Sequence, residues 1–279
     1  MPLIFIAISL ILFGVFSAFD IRFDSVRLRY TLSINVLVDL MLKSMLKKIS
    51  RALSTSTLLF MITVYLTQAG WHRALTPSFF GMQEIAPRIY TDSPERSGQI
   101  TEAIKKAEYN SLQFFTEISA RPTYIICLKS NCEEIFGRMP LGLTLGYHRV
   151  LISPKGFTPS VLNHERIHVD LHALMGFQDL YRQRFPAWFD EGLSEFLSGR
   201  HCSFQRHNEA DLARVLRADT FRDWNAMVAD RAYGRHYGAA CELVSRIAQA
   251  TGIDGLRRIV LTVRDKDDFM RQMPSIVRR

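Results

Sequence analysis

Apolar and polar positions divide the chain into two unlike parts. Near the N-terminus lie two apolar runs, Leu3 to Phe19 without any charge and about Leu53 to Ala69. From residue 85 the spacing becomes that of a globular domain. Arg88–Thr91 reads as a short strand, with Asp92, Ser93 and Pro94 as turn chemistry behind it. Residues 97–118 predict a helix, because Ile100, Ile104, Ala107, Leu112, Phe115 and Ile118 fall near a 3.6-residue period. Pro122 opens a strand over Thr123–Leu128. Residues 141–152 hold one or two more, the last stopped by Ser153-Pro154. A helix is expected from about Pro159 to Met175, with Thr158 as N-cap and Gly176 as stop. Another spans Ala187 to Ser198, between Pro186 and Gly199. A longer one starts near Tyr233 and ends before Gly252, and residues 254–272 hold one or two more. A small mixed sheet followed by helices is an α+β arrangement.

Charge changes the picture of the N-terminal part. The 279 residues carry a formal net charge of +8, a surplus that first suggests nucleic acid. Between residues 20 and 51, however, seven basic residues (Arg22, Arg27, Arg29, Lys43, Lys47, Lys48, Arg51) face three acidic ones (Asp20, Asp24, Asp39). That stretch holds half the surplus and lies between the apolar runs, so it reads as a membrane topology signal and no nucleic-acid partner is expected. The first run is marginally long enough for a membrane helix. The second, over residues 53–69, has a basic flank and ends in Thr67-Gln68-Ala69, which suits either a second span or a signal peptide. A start at Met41 or Met45 would give an ordinary signal-like opening. The two-span and signal-peptide readings make residues 1–70 an anchoring or signal region and put residues 71–279 outside the cytoplasmic membrane, and the later start would leave residues 1–40 untranslated.

The four cysteines, Cys127, Cys132, Cys202 and Cys241, permit disulfides beyond a targeting segment. Cys127 with Cys132 would close a small loop, leaving Cys202 with Cys241. Four free thiols are the other possibility, with Cys127 a packed core residue. The C-x4-C spacing is not that of a zinc ribbon.

The chemistry lies in His164-Glu165-Arg166-Ile167-His168. Histidines four apart project from one helical face, about a turn from each other, so both imidazoles can reach one zinc ion. Glu165, beside the first of them, can reach a metal-bound water and take its proton. Val161, Leu162, Ile167, Val169, Leu171 and Leu174 give the segment the apolar content of a buried helix. Arg166 should face solvent or a carboxylate. A catalytic zinc needs a third protein ligand and one open position. Glu191, in Pro186-Ala-Trp-Phe-Asp-Glu191-Gly-Leu-Ser-Glu195, lies 23 residues after His168, enough chain for a loop and a second helix. Gly192 would let helix and metal approach closely. Glu195, one turn beyond Glu191, is expected to hydrogen-bond a ligand histidine.

HExxH followed by a Trp-x-x-Glu-Gly helix resembles the gluzincin metallopeptidases, the thermolysin and aminopeptidase N superfamily, and most closely their peptidase-MA-like members. The likeness covers roughly residues 85–260. It implies a zincin-like fold, with a small sheet packed on the active-site helix and a helical C-terminal lobe. It also implies one zinc ion on His164, His168 and Glu191, with Glu165 as base. The edge strand that pairs with an extended substrate would lie in residues 142–152. Tyr233, in Tyr233-Gly-Arg-His-Tyr237, would stabilise the oxyanion, with His236 or Tyr237 next in line. A packed helical stripe is the other reading of that segment. His168 with His172 also has helical spacing but lacks an adjacent glutamate. His148 reads as a surface residue, and His201 and His207 as solvated.

The expected function is a zinc metallopeptidase acting on peptide or protein outside the cytoplasmic membrane. The alternative is a catalytically silent zinc-binding domain of the same type, serving as a membrane-tethered interaction module.

Overall fold

The computed structural model describes residues 39, 42–51, 53–60, 63, 70–117, 120–137, 140–200, 202, 207–229 and 232–273. The chain divides into two units, Met1–Val64 and Tyr65–Arg279. In the first, residues 42–51 and 53–60 are helical wherever described, and Leu42, Met45, Leu46, Ile49, Leu53 and Phe60 are exposed. Among the described residues no helix is long and apolar enough to cross a membrane. The apolar run 3–19 and most of 61–69 lie outside the described residues.

The second unit is α+β. Its five strands are β1 (Gln83–Ala86), β2 (Ile89–Thr91), β3 (Thr123–Ile126), β4 (Gly142–Leu145) and β5 (Arg149–Ile152). They form one sheet in the order β1-β2-β3-β5-β4. β3 runs parallel to both neighbours, while β1 and β4 close the two edges antiparallel. The segment 141–152 is thus two strands, turned through Gly146 at φ 59, a left-handed conformation that glycine adopts without strain. Strand alternation puts Tyr124, Ile126, Val150 and Ile152 on one face of the sheet and Ile125, Cys127 and Leu151 on the other.

Two helices cover the first face, α1 (Ser97–Leu112) and α3 (Pro159–Arg182), through Ile100, Ile104, Ala107, Val161, Leu162 and Val169. The other face is covered by the 3-10 turn Trp71–Leu75 and the short α2 (Cys132–Phe136). α3 opens at Pro159, its N-cap supplied by Thr158 Oγ1, which accepts from the Val161 amide at 3.3 Å. Gly176, at φ 67 and ψ 178, breaks it. The other helices are α4 (Ala187–Ser198), α5 (Glu209–Val215), α6 (Phe221–Val228), α7 (Tyr233–Thr251), α8 (Ile253–Thr262) and α9 (Lys266–Gln272). They enclose a core with Trp188, Phe189, Leu193, Trp224, Leu243, Val244 and Phe269.

The sequence reading places α3, α4, α7, β3 and β5 well. It misses β1, whose Gln83-Glu84-Ile85-Ala86 has no alternation, and the short helices α2, α5 and α6. α1 ends at Leu112, six residues before the expected limit, and the chain leaves it through turns that bury Phe114 and Phe115. Both disulfides form as the spacing suggested, Cys127–Cys132 and Cys202–Cys241. The second ties the chain just after α4 to α7.

Candidate metal centre

α3 and α4 face each other, and the candidate ligands sit where they meet. On α3, His164 and His168 present their Nε2 atoms to the same point, 3.0 Å apart. From α4, Glu191 Oε2 lies 3.5 Å from His164 Nε2 and 3.4 Å from His168 Nε2. A tetrahedral ion with ligands at about 2.0–2.1 Å has edges of about 3.3–3.4 Å between them. The three atoms therefore form one face of such a tetrahedron. Glu191 Oε2 is buried without a hydrogen-bond partner, a costly arrangement unless a cation satisfies it. Two imidazoles and a carboxylate suit a divalent metal. His164, His168 and Glu191 can together hold an ion.

The electrostatics agree. Burial opposes a proton on His168, but Asp190 and Glu191 outweigh it and hold its pKa well above the usual histidine value. Burial acts the same way on His164, and Glu191 and Glu195 raise it overall. Burial alone would raise Glu191, yet the two histidines bring it below the usual carboxylate range. The carboxylates around the two imidazoles thus favour positive charge at this point.

Both ligand histidines are braced from behind. His164 Nδ1 lies 3.1 Å from Glu195 Oε1, as expected for a residue one turn beyond Glu191. Glu195 is itself fully buried, and Arg200 Nη1 stands 3.5 Å from the same oxygen. Arg200 is thus turned inward, although it lies in a stretch that reads as solvated. His168 Nδ1 is 2.7 Å from Asp190 Oδ1, and His172 Nε2 is 2.7 Å from Asp190 Oδ2. Those spacings are hydrogen bonds, and His168 uses its Nδ1 for one while its Nε2 faces Glu191. The cluster of His168, His172 and Asp190 is therefore a bridge across one carboxylate. Burial works against the charge on Asp190, but His172 and His168 together hold its pKa below the ordinary range. His172 Nδ1 then reaches the Gly146 carbonyl at 3.0 Å, so the bridge ends on the β4–β5 turn.

Glu165 is buried beside the ligands. Thr144 Oγ1 of β4 donates to its Oε2 at 2.7 Å. The Tyr237 ring stands 6.3 Å from that of His164 and 5.1 Å, edge-on, from that of Trp224. Burial and the negative charges of Glu191, Glu165 and Glu195 push its hydroxyl pKa up, against the Trp224 hydrogen bond. Tyr237 therefore keeps its hydroxyl proton beside His164. The Tyr233 backbone opens α7, but its side chain lies outside the described residues, as do His201 and Arg206. His236 is buried, and His148 is exposed as expected.

One residue behaves differently from expectation, and a second takes one of the two settings expected of it. A Cβ on Gly192 would meet the Ala240 carbonyl oxygen at 2.5 Å and Val244 Cγ2 at 3.0 Å. This glycine lets α4 approach α7, and its open side faces that helix instead of the ligands. Arg166 is fully buried on the far side of α3. Its Nε and Nη2 donate to Asp170 at 2.8 and 2.6 Å, and Nη2 donates to the Ala120 carbonyl at 3.0 Å. Nη1 reaches Glu108 at 3.3 Å, and Ser111 Oγ donates to Asp170 at 2.6 Å. Arg166 thus fastens the ligand helix to α1. Asp190, Arg200 and Thr144 are the site residues that sequence reasoning missed. Asp190 adjoins a predicted ligand, but neighbouring helical positions point about 100° apart, and only the meeting of α3 with α4 gives it two imidazoles.

No protein-family model matches the chain, and neither a curated protein nor a solved structure does.

Proposed function

We propose that the chain is a zinc-dependent metallopeptidase of the gluzincin type, with a zincin-like fold, that hydrolyses peptide bonds outside the cytoplasmic membrane. The observation that carries the reading is the triangle of His164 Nε2, His168 Nε2 and Glu191 Oε2, with sides of 3.0, 3.4 and 3.5 Å and Glu165 one residue from its first corner. A zinc ion bound there would polarise the peptide carbonyl and lower the pKa of a water to about 7. Glu165 accepts the proton from the attacking water and delivers it to the leaving amine. Glu195, Asp190 and His172 keep the two imidazoles aimed, so that their Nε2 lone pairs face inward. Tyr237, or Tyr233 as the sequence alone suggested, donates to the oxyanion. β4, an edge strand of the sheet among the described residues, borders Glu165 and would offer main-chain hydrogen bonds to an extended substrate.

The two disulfides and the basic flank before residue 53 favour an oxidising compartment and a tether through the N-terminal segments. The test is to purify the full chain in detergent, measure bound zinc, and assay a quenched fluorescent peptide library with and without chelator. One zinc per chain with chelator-sensitive cleavage, abolished in Glu165→Gln, is expected. Absence of zinc refutes the reading. Zinc without cleavage points to the silent binding domain instead.

A further inference from the structure

Glu165 cannot aim itself. It follows His164 by one position, so its side chain leaves α3 about 100° away from the ligand face, with three torsions to fix before its carboxylate meets the point His164 and His168 define. We propose that β4 supplies the aim: Thr144 is a positioning residue that holds one oxygen of Glu165, and Gly142 is the gap in the strand that lets the side chain lie there. This rests on the peptidase reading above and assigns two further residues to it.

The geometry is specific. Residues 142 and 144 are two apart on one strand and so share a face. At 144 the hydroxyl donates to Glu165 Oε2 at 2.7 Å, with a longer approach of 3.2 Å to the Glu165 carbonyl. One hydroxyl proton serves the shorter bond. At 142 a Cβ would stand 2.6 Å from Glu165 Cγ and 2.7 Å from Cδ, so any larger residue must displace the Glu165 side chain from this position. The carboxylate therefore lies along the strand. Its Oε2 is held by the Thr144 hydroxyl, which leaves Oε1 for the water proton. β4 is itself fixed, paired with β5 at Gly142↔Ile152 and Thr144↔Val150, and the Ser153 amide donates to the Leu141 carbonyl at 3.0 Å. A base held through one oxygen against a fixed strand is preorganised, and a misplacement of about 1 Å costs such a group about a hundredfold in rate.

The test compares Thr144→Val, which keeps the shape and removes the donor, with Thr144→Ser, which keeps the donor. Zinc content, melting temperature, kcat and KM are measured for the full chain on a quenched fluorescent peptide. Thr144→Val should retain one zinc per chain and lose about ten- to a hundredfold in kcat, with KM within about twofold. Thr144→Ser should keep kcat near wild type. Thr144→Ala is a second variant without the hydroxyl, should the valine distort the strand, and should repeat the kcat loss. Gly142→Ala should lower kcat with zinc still bound. A wild-type kcat in both variants without the hydroxyl overturns the proposal while leaving the peptidase reading intact. So does a parallel loss of melting temperature and activity in Thr144→Val and Thr144→Ser, which marks a purely structural role. A wild-type chain that binds zinc but cleaves nothing, or binds none, overturns both.

Discussion

Gly192→Ala probes how tightly the metal site depends on packing remote from it. The added methyl would lie 2.5 Å from the Ala240 carbonyl oxygen, 2.9 Å from the carbonyl carbon and 3.0 Å from Val244 Cγ2. An ordinary contact needs about 3.5 Å, so α4 and α7 must part by up to about 1 Å. The wall is backbone, which cannot turn aside as a side chain can. Overpacking of this kind costs about 3 kcal/mol, at the upper end of its usual range, and the gain in helix propensity offsets about 1 kcal/mol of that. The net loss of about 2 kcal/mol lowers the melting temperature by roughly 4–8 °C in a domain of this size. α4 also carries Glu191 and Asp190, and ligand positions tolerate only about 0.2 Å. Zinc affinity should therefore fall at least about tenfold. The assay is thermal unfolding of the zinc-free and zinc-loaded chain, with zinc affinity from chelator competition. Gly98→Ala on α1 is the control, since a Cβ there meets nothing within 4 Å. It should be neutral or stabilising by up to about 1 kcal/mol. If Gly192→Ala stabilised the protein as the control does, the account of α4 held against α7 would be wrong.

Three further perturbations separate the parts of the site. Arg166→Met leaves Asp170 buried without its bidentate partner and should cost about 3–5 kcal/mol by chemical denaturation, most of it recovered in the double variant Arg166→Met/Asp170→Leu. Failure of the double variant to recover would show that Arg166 does more than neutralise Asp170. Asp190→Asn removes the charge bridging His168 and His172 and should weaken zinc about ten- to a hundredfold in the same competition assay, since such supporting carboxylates contribute that much. In the metal-free protein the pKa values of His164 and His168 are raised, so protons compete with zinc to a higher pH than for ordinary histidine. Zinc affinity should fall by about tenfold or more per unit as pH drops through that range, with proton release on binding. The same shifts stabilise the metal-free fold at low pH, fully below the unfolded histidine value of about 6.5, and that contribution is lost as pH rises through the folded values. Calorimetry in buffers of different ionisation enthalpy measures the protons released, and none released would contradict the assignment.

The parts legible in the sequence were those marked by local punctuation. Pro159 and Gly176 bound the ligand helix, Pro186 and Gly199 bound α4, and the HExxH spacing alone fixes which face of α3 carries both imidazoles. β1 was not legible, because an edge strand with burial running from exposed to half-buried carries no alternation. α5 and α6 were missed although their signals were present. Asn208 caps the first, and Thr220 with Asp223 forms a capping box on the second. The supporting shell is another matter. The sequence leaves Arg166 between solvent and a carboxylate, and only α1 and the Ala120 carbonyl closing over it decide for the carboxylate, while Thr144 gains its meaning only when β4 lies against α3. Such roles arise from contacts between elements far apart in sequence, which no local pattern encodes.

The central claim is that His164, His168 and Glu191 hold one zinc ion. Zinc-edge X-ray absorption on the zinc-loaded full chain tests it most directly. The account predicts one tightly bound zinc per chain in a four-coordinate shell of nitrogen and oxygen at about 2.0–2.1 Å, with two imidazoles and no sulfur, lost in His164→Ala. A sulfur scatterer at about 2.3 Å, or zinc binding that survives His164→Ala unchanged, would contradict it.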